Sequence, residues 1–243
     1  MNTQKKQTDE ERKRLRKFEE CRRDPYMFLR LVRTFDPLET NERLKRYGKP
    51  FPYKKEYIKK LVELWIRERY LYVLKSRQML LTWLFTALYD WDTIVHPGQI
   101  TFFRSEKLHH AGDFKQKLTL IWRAKFIIDH LPVDFLWHCW GKGKNEVESR
   151  GVPSPFINFP NGSTIVAISQ DPDDIRSKTA TGILDDETAF QPRYEESLRA
   201  TMPSLGVVGR YTGITSINHK NYAYRVWNDI ERVREDKEIV EAV

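Results

Sequence analysis

From residue 70 onward, short apolar runs of strand length alternate with longer stretches of helical periodicity. The strand patterns fall at 70–74, 99–103, 156–159, 164–168, 182–184 and 207–214, and the helical patterns at 82–95, 107–130, 193–200 and 221–234. A run such as Gly182-Ile183-Leu184 is apolar on consecutive residues, which suits a strand buried on both faces. Strands of that kind interleaved with helices predict an α/β fold whose mainly parallel central sheet is covered by helices. Pro160-Asn161-Gly162 separates two of the runs and predicts a hairpin closed by a type I′ turn.

Two of the strand patterns end in charge. Tyr72-Val73-Leu74 runs into Lys75-Ser76-Arg77-Gln78-Met79-Leu80-Leu81-Thr82, a basic polar loop that opens a helix. Gly182-Ile183-Leu184 runs into Asp185-Asp186-Glu187. A nucleoside triphosphatase needs both parts: a loop whose backbone N–H groups and cation hold phosphates, and an acid pair that organises a metal and a water. Thr82 supplies the magnesium hydroxyl, and Asp186 and Glu187 are the metal acid and the base. Asp185 faces the other way, because side chains alternate along a strand. The loop departs from the usual pattern, with Leu80-Leu81 in place of Gly-Lys. A left-handed backbone at Leu80 would cost about 1 kcal/mol or more, because leucine carries a Cβ. Lys75 or Arg77 can fold back over the phosphates in place of the missing lysine. The other reading of this segment is a basic strand end followed by an ordinary apolar helix. For the acids it is a turn that caps the next helix.

Ahead of this core, Thr8-Asp9-Glu10-Glu11 has capping-box spacing and predicts a helix through Glu20 and beyond. Asp24-Pro25 opens a second helical stretch through Val32. Residues 38–52, with Gly48, Pro50 and Pro52, read as a linker. Over 54–69, Tyr57, Leu61, Leu64 and Trp65 share one face of a helix whose other face is basic. The formal net charge is +8, and its excess lies in this part of the chain: residues 1–60 hold 19 Lys and Arg against 10 Asp and Glu, the remainder 23 against 24. That bias implies a polyanionic partner such as nucleic acid, or a solvated helix face. No run approaches the roughly 18 apolar residues of a membrane span, and the N-terminus lacks a secretory signal. Cys21 and Cys139 are too few and too far apart for a disulfide framework or a zinc knuckle, which fits a reducing, cytosolic setting.

Several segments in one order resemble the large terminase subunit of tailed bacteriophages, the motor that packages viral DNA. They are Asp24-Pro25-Tyr26-Met27-Phe28, Pro50-Phe51-Pro52-Tyr53, Lys75-Ser76-Arg77-Gln78, Phe159-Pro160-Asn161-Gly162-Ser163-Thr164-Ile165, Ile175-Arg176, Leu184-Asp185-Asp186-Glu187-Thr188-Ala189-Phe190, and Gly213-Ile214-Thr215-Ser216 with Asn218-His219. The resemblance covers nearly all of the chain. It implies a RecA-like P-loop ATPase of the additional-strand class, with a helical N-terminal extension or lid over 1–50 and the ATPase core over 51–243. It also implies ATP as substrate and Mg2+ as cofactor. The ATP-binding loop is then Lys75–Thr82, with Arg77 and Gln78 in the family's Arg-Gln places and Lys75 replacing the lysine absent at Leu81. Asp186 and Glu187 match the Walker B acids, and Arg176 a trans-acting arginine finger. Thr215 and Ser216 match the coupling motif, while Lys54 or Lys55 stands near the family's adenine-contacting glutamine.

The partners implied are double-stranded DNA, a homo-oligomeric ring on the procapsid portal and the small terminase subunit, in the host cytoplasm and without a membrane. The family's C-terminal nuclease domain is not expected within this chain, so no DNA cleavage is expected of it. The Leu80-Leu81 departure motivates a different class of function, a catalytically degenerate DNA-binding or assembly module. A third reading, a helicase-type ATPase, would need a second core. His109-His110 and His138-Cys139 have no partner pair at metal-ligand spacing. Trp137 and Trp140 read as packing residues, and Lys142 and Lys144 as solvated.

Overall fold

Thirteen of the fifteen residues of the helix Leu81–Val95 are buried, and a helix apolar on nearly every side has to lie inside the molecule. The rest of the fold is arranged around it in a computed structural model that describes residues 9–76, 79–176, 178–216, 218 and 222–226. In chain order the helices are α1 Asp9–Arg23, α2 Pro25–Phe28, α3 Glu42–Tyr47, α4 Glu56–Arg67, α5 Leu81–Val95, α6 Leu108–Gly112, α7 Leu120–His130, α8 Val133–Trp140 and α9 Tyr194–Ser204. The strands are β1 Arg33–Thr34, β2 Lys49–Pro50, β3 Tyr70–Lys75, β4 Ile100–Arg104, β5 Glu148–Arg150, β6 Phe156–Asn158, β7 Thr164–Ile168, β8 Gly182–Asp186 and β9 Arg210–Ser216.

The main sheet has seven described strands in the order β3-β9-β8-β4-β7-β6-β5. The pairs from β3 across to β7 are parallel, and β6 and β5 are added antiparallel. All five residues of β8 are buried, as its unbroken apolar start requires. The α/β class and the mainly parallel, helix-covered sheet are therefore as the sequence predicts. In α4, Ile58, Leu61, Val62 and Trp65 form the buried face. Phe18 and Cys21 of α1 and Phe28 of α2 join the same apolar cluster as α5, and the Trp91 indole N–H donates to the Cys21 carbonyl at 2.9 Å.

Several local expectations are corrected. Residues 38–52 are not a plain linker: they hold α3, capped by the Asn41 side chain, and β2, which pairs antiparallel with β1. The helical pattern over 107–130 is two helices, because Leu118 turns left-handed at φ 71° and Thr119 starts α7 by accepting from the Trp122 N–H at 3.3 Å. The region ends at His130, and Pro132 then stands at the N-terminus of α8. The 160–162 turn is not type I′: φ is positive at Gly162 but not at Asn161. Asn161 instead spends its side chain as a tether, donating to the carbonyls of Thr93 at 2.9 Å and Ile94 at 3.1 Å. Thr8 and most of the expected helix at 221–234 lie outside the described residues, of which 222–226 are helical.

Inside α5, Asp90 is fully buried and, among the described residues, neither carboxylate oxygen has a hydrogen-bond partner. Burial alone pushes its pKa well above the ordinary value. A carboxyl whose folded pKa is raised contributes stability that is complete below the unfolded pKa near 4 and is lost as pH rises through the folded value. Urea unfolding at pH 5 and pH 8 checks this. The wild type should lose more stability over that interval than an Asp90→Asn variant, by about 1 kcal/mol or more, since each unit of elevation is worth about 1.4 kcal/mol.

Candidate active site

Because β3, β9 and β8 are parallel neighbours, their C-terminal ends share one edge of the sheet. Lys75 is in register with Ser216, and Asp186 with Ile214. This is the edge at which open α/β sheets present their ligand sites. From β3 the chain turns into α5 through Leu80, whose backbone is left-handed at φ 57° and ψ 19°. The fold thus adopts the conformation that leucine disfavours, at a cost of about 1 kcal/mol. Packing supplies the compensation: the Tyr57 hydroxyl donates to the Met79 carbonyl at 3.0 Å, and Leu81 is buried in the core. Among the described residues no side chain caps the α5 N-terminus, which suits its first-turn N–H groups to an anion.

Beside this turn, four sequence-predicted residues come together. Lys75 Nζ lies 3.2 Å from Thr82 Oγ1, 3.6 Å from Asp186 Oδ1 and 3.1 Å from Glu187 Oε1. Thr82 Oγ1 lies 3.4 Å from each Asp186 oxygen. Burial, reinforced by the Glu187 charge, raises the Asp186 carboxyl against the opposing pull of Lys75 and Arg123. Glu187 sits in a left-handed conformation at φ 54°, a strained backbone of the kind that collects at working sites. Its Oε2 accepts from Ser216 Oγ at 3.2 Å and from the Ser216 N–H at 3.4 Å. Thr215 Oγ1 accepts the Ala189 N–H at 3.0 Å. The ends of β3, β8 and β9 are thereby tied through one carboxylate.

Asp185 points to the opposite face, where it forms a fully buried ion pair with Arg104. It also accepts from Gln191 Nε2 at 2.7 Å and from the Tyr211 hydroxyl at 2.8 Å. Gln191 Nε2 further donates to the Asp186 carbonyl at 3.0 Å. This buried network fixes the strand tip from behind.

Of the remaining expected site residues, Arg77 and Gln78 lie outside the described residues. Ser76 is exposed. Arg176 is exposed and ion-paired with Asp173, and is not part of the Lys75 cluster. Sequence reasoning missed Arg123 of α7, whose guanidinium lies over the Trp83 ring at 5.7 Å. Its available signal was a lone arginine among the buried α7 residues Ile121, Ala124, Ile127 and Ile128. Arg104 was missed as well, at the end of an otherwise apolar strand.

Among the described residues no three His, Cys, Asp or Glu side chains gather to hold a metal. His138 pairs instead with Glu19 at 3.0 Å. One carboxylate and one hydroxyl, Asp186 and Thr82, are the donor set magnesium takes when waters and substrate phosphates complete its shell. The residues present therefore fit Mg2+ carried with a nucleotide. No described helix is long and apolar enough to cross a membrane.

No family model matches the sequence, and no curated protein matches it. Solved structures do. The large terminase of bacteriophage HK97 superimposes with a TM-score of 0.60 at 11% identity, over 88% of this chain and 42% of that one. The large terminase of a thermophilic bacteriophage gives 0.51 at 11% identity, over 73% of this chain and 43% of that one. The large terminase ATPase domain of a Thermus phage gives 0.49 at 17% identity, over 77% and 74%. The chain spans less than half the length of the first two. At these identities the likeness is one of fold, shared with part of the large terminases of HK97 and the thermophilic phage.

Proposed function

We propose that this chain is the ATPase domain of a viral DNA-packaging terminase, hydrolysing ATP to drive double-stranded DNA into a procapsid. The observation that carries the proposal is the meeting of Lys75, Thr82, Asp186 and Glu187 beside the left-handed turn at Leu80. The α5 N-terminus and Lys75 hold the phosphates, with Arg77 on the same loop. Thr82 and Asp186 hold Mg2+, which when bound neutralises phosphate charge. Glu187 orients the attacking water and accepts its proton. Ser216 shares the Glu187 carboxylate, so a change in that carboxylate's partners reaches the end of β9, the coupling element with Thr215. Arg176, exposed and away from the cluster, is suited to act on the site of a neighbouring subunit in a ring. The portal, the small terminase subunit and the host cytoplasm complete this reading.

The direct test is magnesium-dependent phosphate release by the full chain at high protein concentration with DNA present. Lys75→Met should weaken ATP binding about tenfold to a hundredfold, the weight of one charge-assisted contact. Leu81, buried where a lysine is usual, favours the alternative of a degenerate DNA-binding or assembly module. That alternative wins if the assembled protein releases no phosphate and binds DNA regardless of Lys75.

A further inference from the structure

The first turn of α7 packs on the first turn of α5. Trp83, the residue after Thr82, contacts the rings of Trp122 and Phe126 and lies under the Arg123 guanidinium. Arg123 is half-buried. Its Nε is buried and has no hydrogen-bond partner among the described residues. Burial works against its charge, and Asp186 and Glu187 are near enough to favour it. Yet the ion pairs of both acids go to Lys75, and among the described residues neither pairs with Arg123. A half-buried guanidinium whose buried Nε donor is unused, placed where it feels both acids without pairing with either, lacks a partner of its own among the described residues.

We propose that Arg123 is a further phosphate-binding cation of the site, outside the β3–α5 loop, its guanidinium fork taking the terminal phosphate of a bound nucleoside triphosphate from the α7 side while Lys75 takes the phosphates from the β3 side. The inference rests on the ATPase reading above. Among the described residues, Lys75 and Arg123 match Asp186 and Glu187 in formal charge, so a phosphate entering between them meets cations from two sides. The fork belongs to the terminal phosphate because Asp186 and Glu187, its charged neighbours, are the groups assigned to the metal and the attacking water. A diphosphate does not reach it. Arg123 therefore reports which nucleotide is bound.

The test compares Arg123→Gln and Arg123→Lys with the wild type, using ADP and a non-hydrolysable ATP analogue by calorimetry, and ATP by phosphate release. Arg123→Gln should bind the triphosphate analogue about tenfold more weakly with ADP affinity unchanged. It should also lower kcat about a hundredfold or more, the loss expected for one donor to transition-state charge. Arg123→Lys should recover part of both. If analogue and ADP affinities fall together, with a lowered melting temperature, Arg123 is only a packing residue on Trp83 and the proposal is overturned. Unchanged analogue affinity in Arg123→Gln overturns it as well. If the wild type binds nucleotide but does not hydrolyse it, the ATPase reading fails while the affinity comparison still decides the role of Arg123. A wild type that binds neither nucleotide overturns both.

Discussion

Under the proposed ATPase function, replacing Glu187 with glutamine should lower the rate of ATP hydrolysis by about a thousandfold or more while leaving ATP affinity within a few-fold of wild type. A positioned base contributes about 10²–10⁴ to a proton-transfer step, and glutamine keeps the shape of glutamate but cannot take the proton. The variant carries the same left-handed backbone cost at φ 54°, so the folded geometry is retained. The Ser216 N–H and hydroxyl, which now donate to Oε2, can still meet an amide oxygen. The loss should therefore appear in kcat, with KM little changed. Single-turnover phosphate release beside equilibrium nucleotide binding separates the two. Turnover within threefold of wild type would remove Glu187 from the chemistry.

The second large effect lies behind the site. Arg104→Met should destabilise the fold by about 3–5 kcal/mol, because it leaves Asp185 as a buried charge without its cation. Arg104 and Asp185 are both fully buried, and burial opposes the guanidinium charge until Asp185 more than restores it. Arg104 also donates to the Ser197 carbonyl at 3.2 Å and to Thr201 Oγ1 at 2.5 Å, so its loss frees α9 from β4. Removing both charges together, with Arg104→Met and Asp185→Leu, should cost less than the single change, since no orphaned charge remains. Denaturant unfolding reads both results. A single-variant loss below about 1 kcal/mol would show that the pair adds little to the fold.

How far the sequence speaks depends on the distance over which each feature is encoded. The α/β class is written in local runs: α5 and β8 are apolar along most of their length and can only be interior. Lys75, Thr82, Asp186 and Glu187 stand out individually, as charged or hydroxyl groups at the ends of such runs. Their meeting at one edge depends on the parallel register of β3, β9 and β8, which single-strand patterns do not contain. The pairing of Arg104 with Asp185 spans 81 residues, and an arginine closing an apolar strand looks locally like an exit to solvent. Arg123 was hidden differently, as one of several charges with Lys125 and Asp129 on an amphipathic helix, where it reads as part of the solvent face. Asn161-Gly162 marked the β6–β7 hairpin correctly but not its turn type, because the Asn161 side chain is engaged with the end of α5.

The left-handed residue at Leu80 has one more consequence. In a glycine-bearing loop the bend is already a comfortable local state of the backbone, and a peptide cut from it would visit that bend often. Here the bend is uphill for the chain itself and exists because Tyr57 holds Met79 from one side while Leu81 is anchored in the core on the other. Cut out as a peptide, 75–82 would be shapeless. The loop's form is borrowed from the interior, so loosening between α4 and α5 would be felt first at the loop, before the sheet yields.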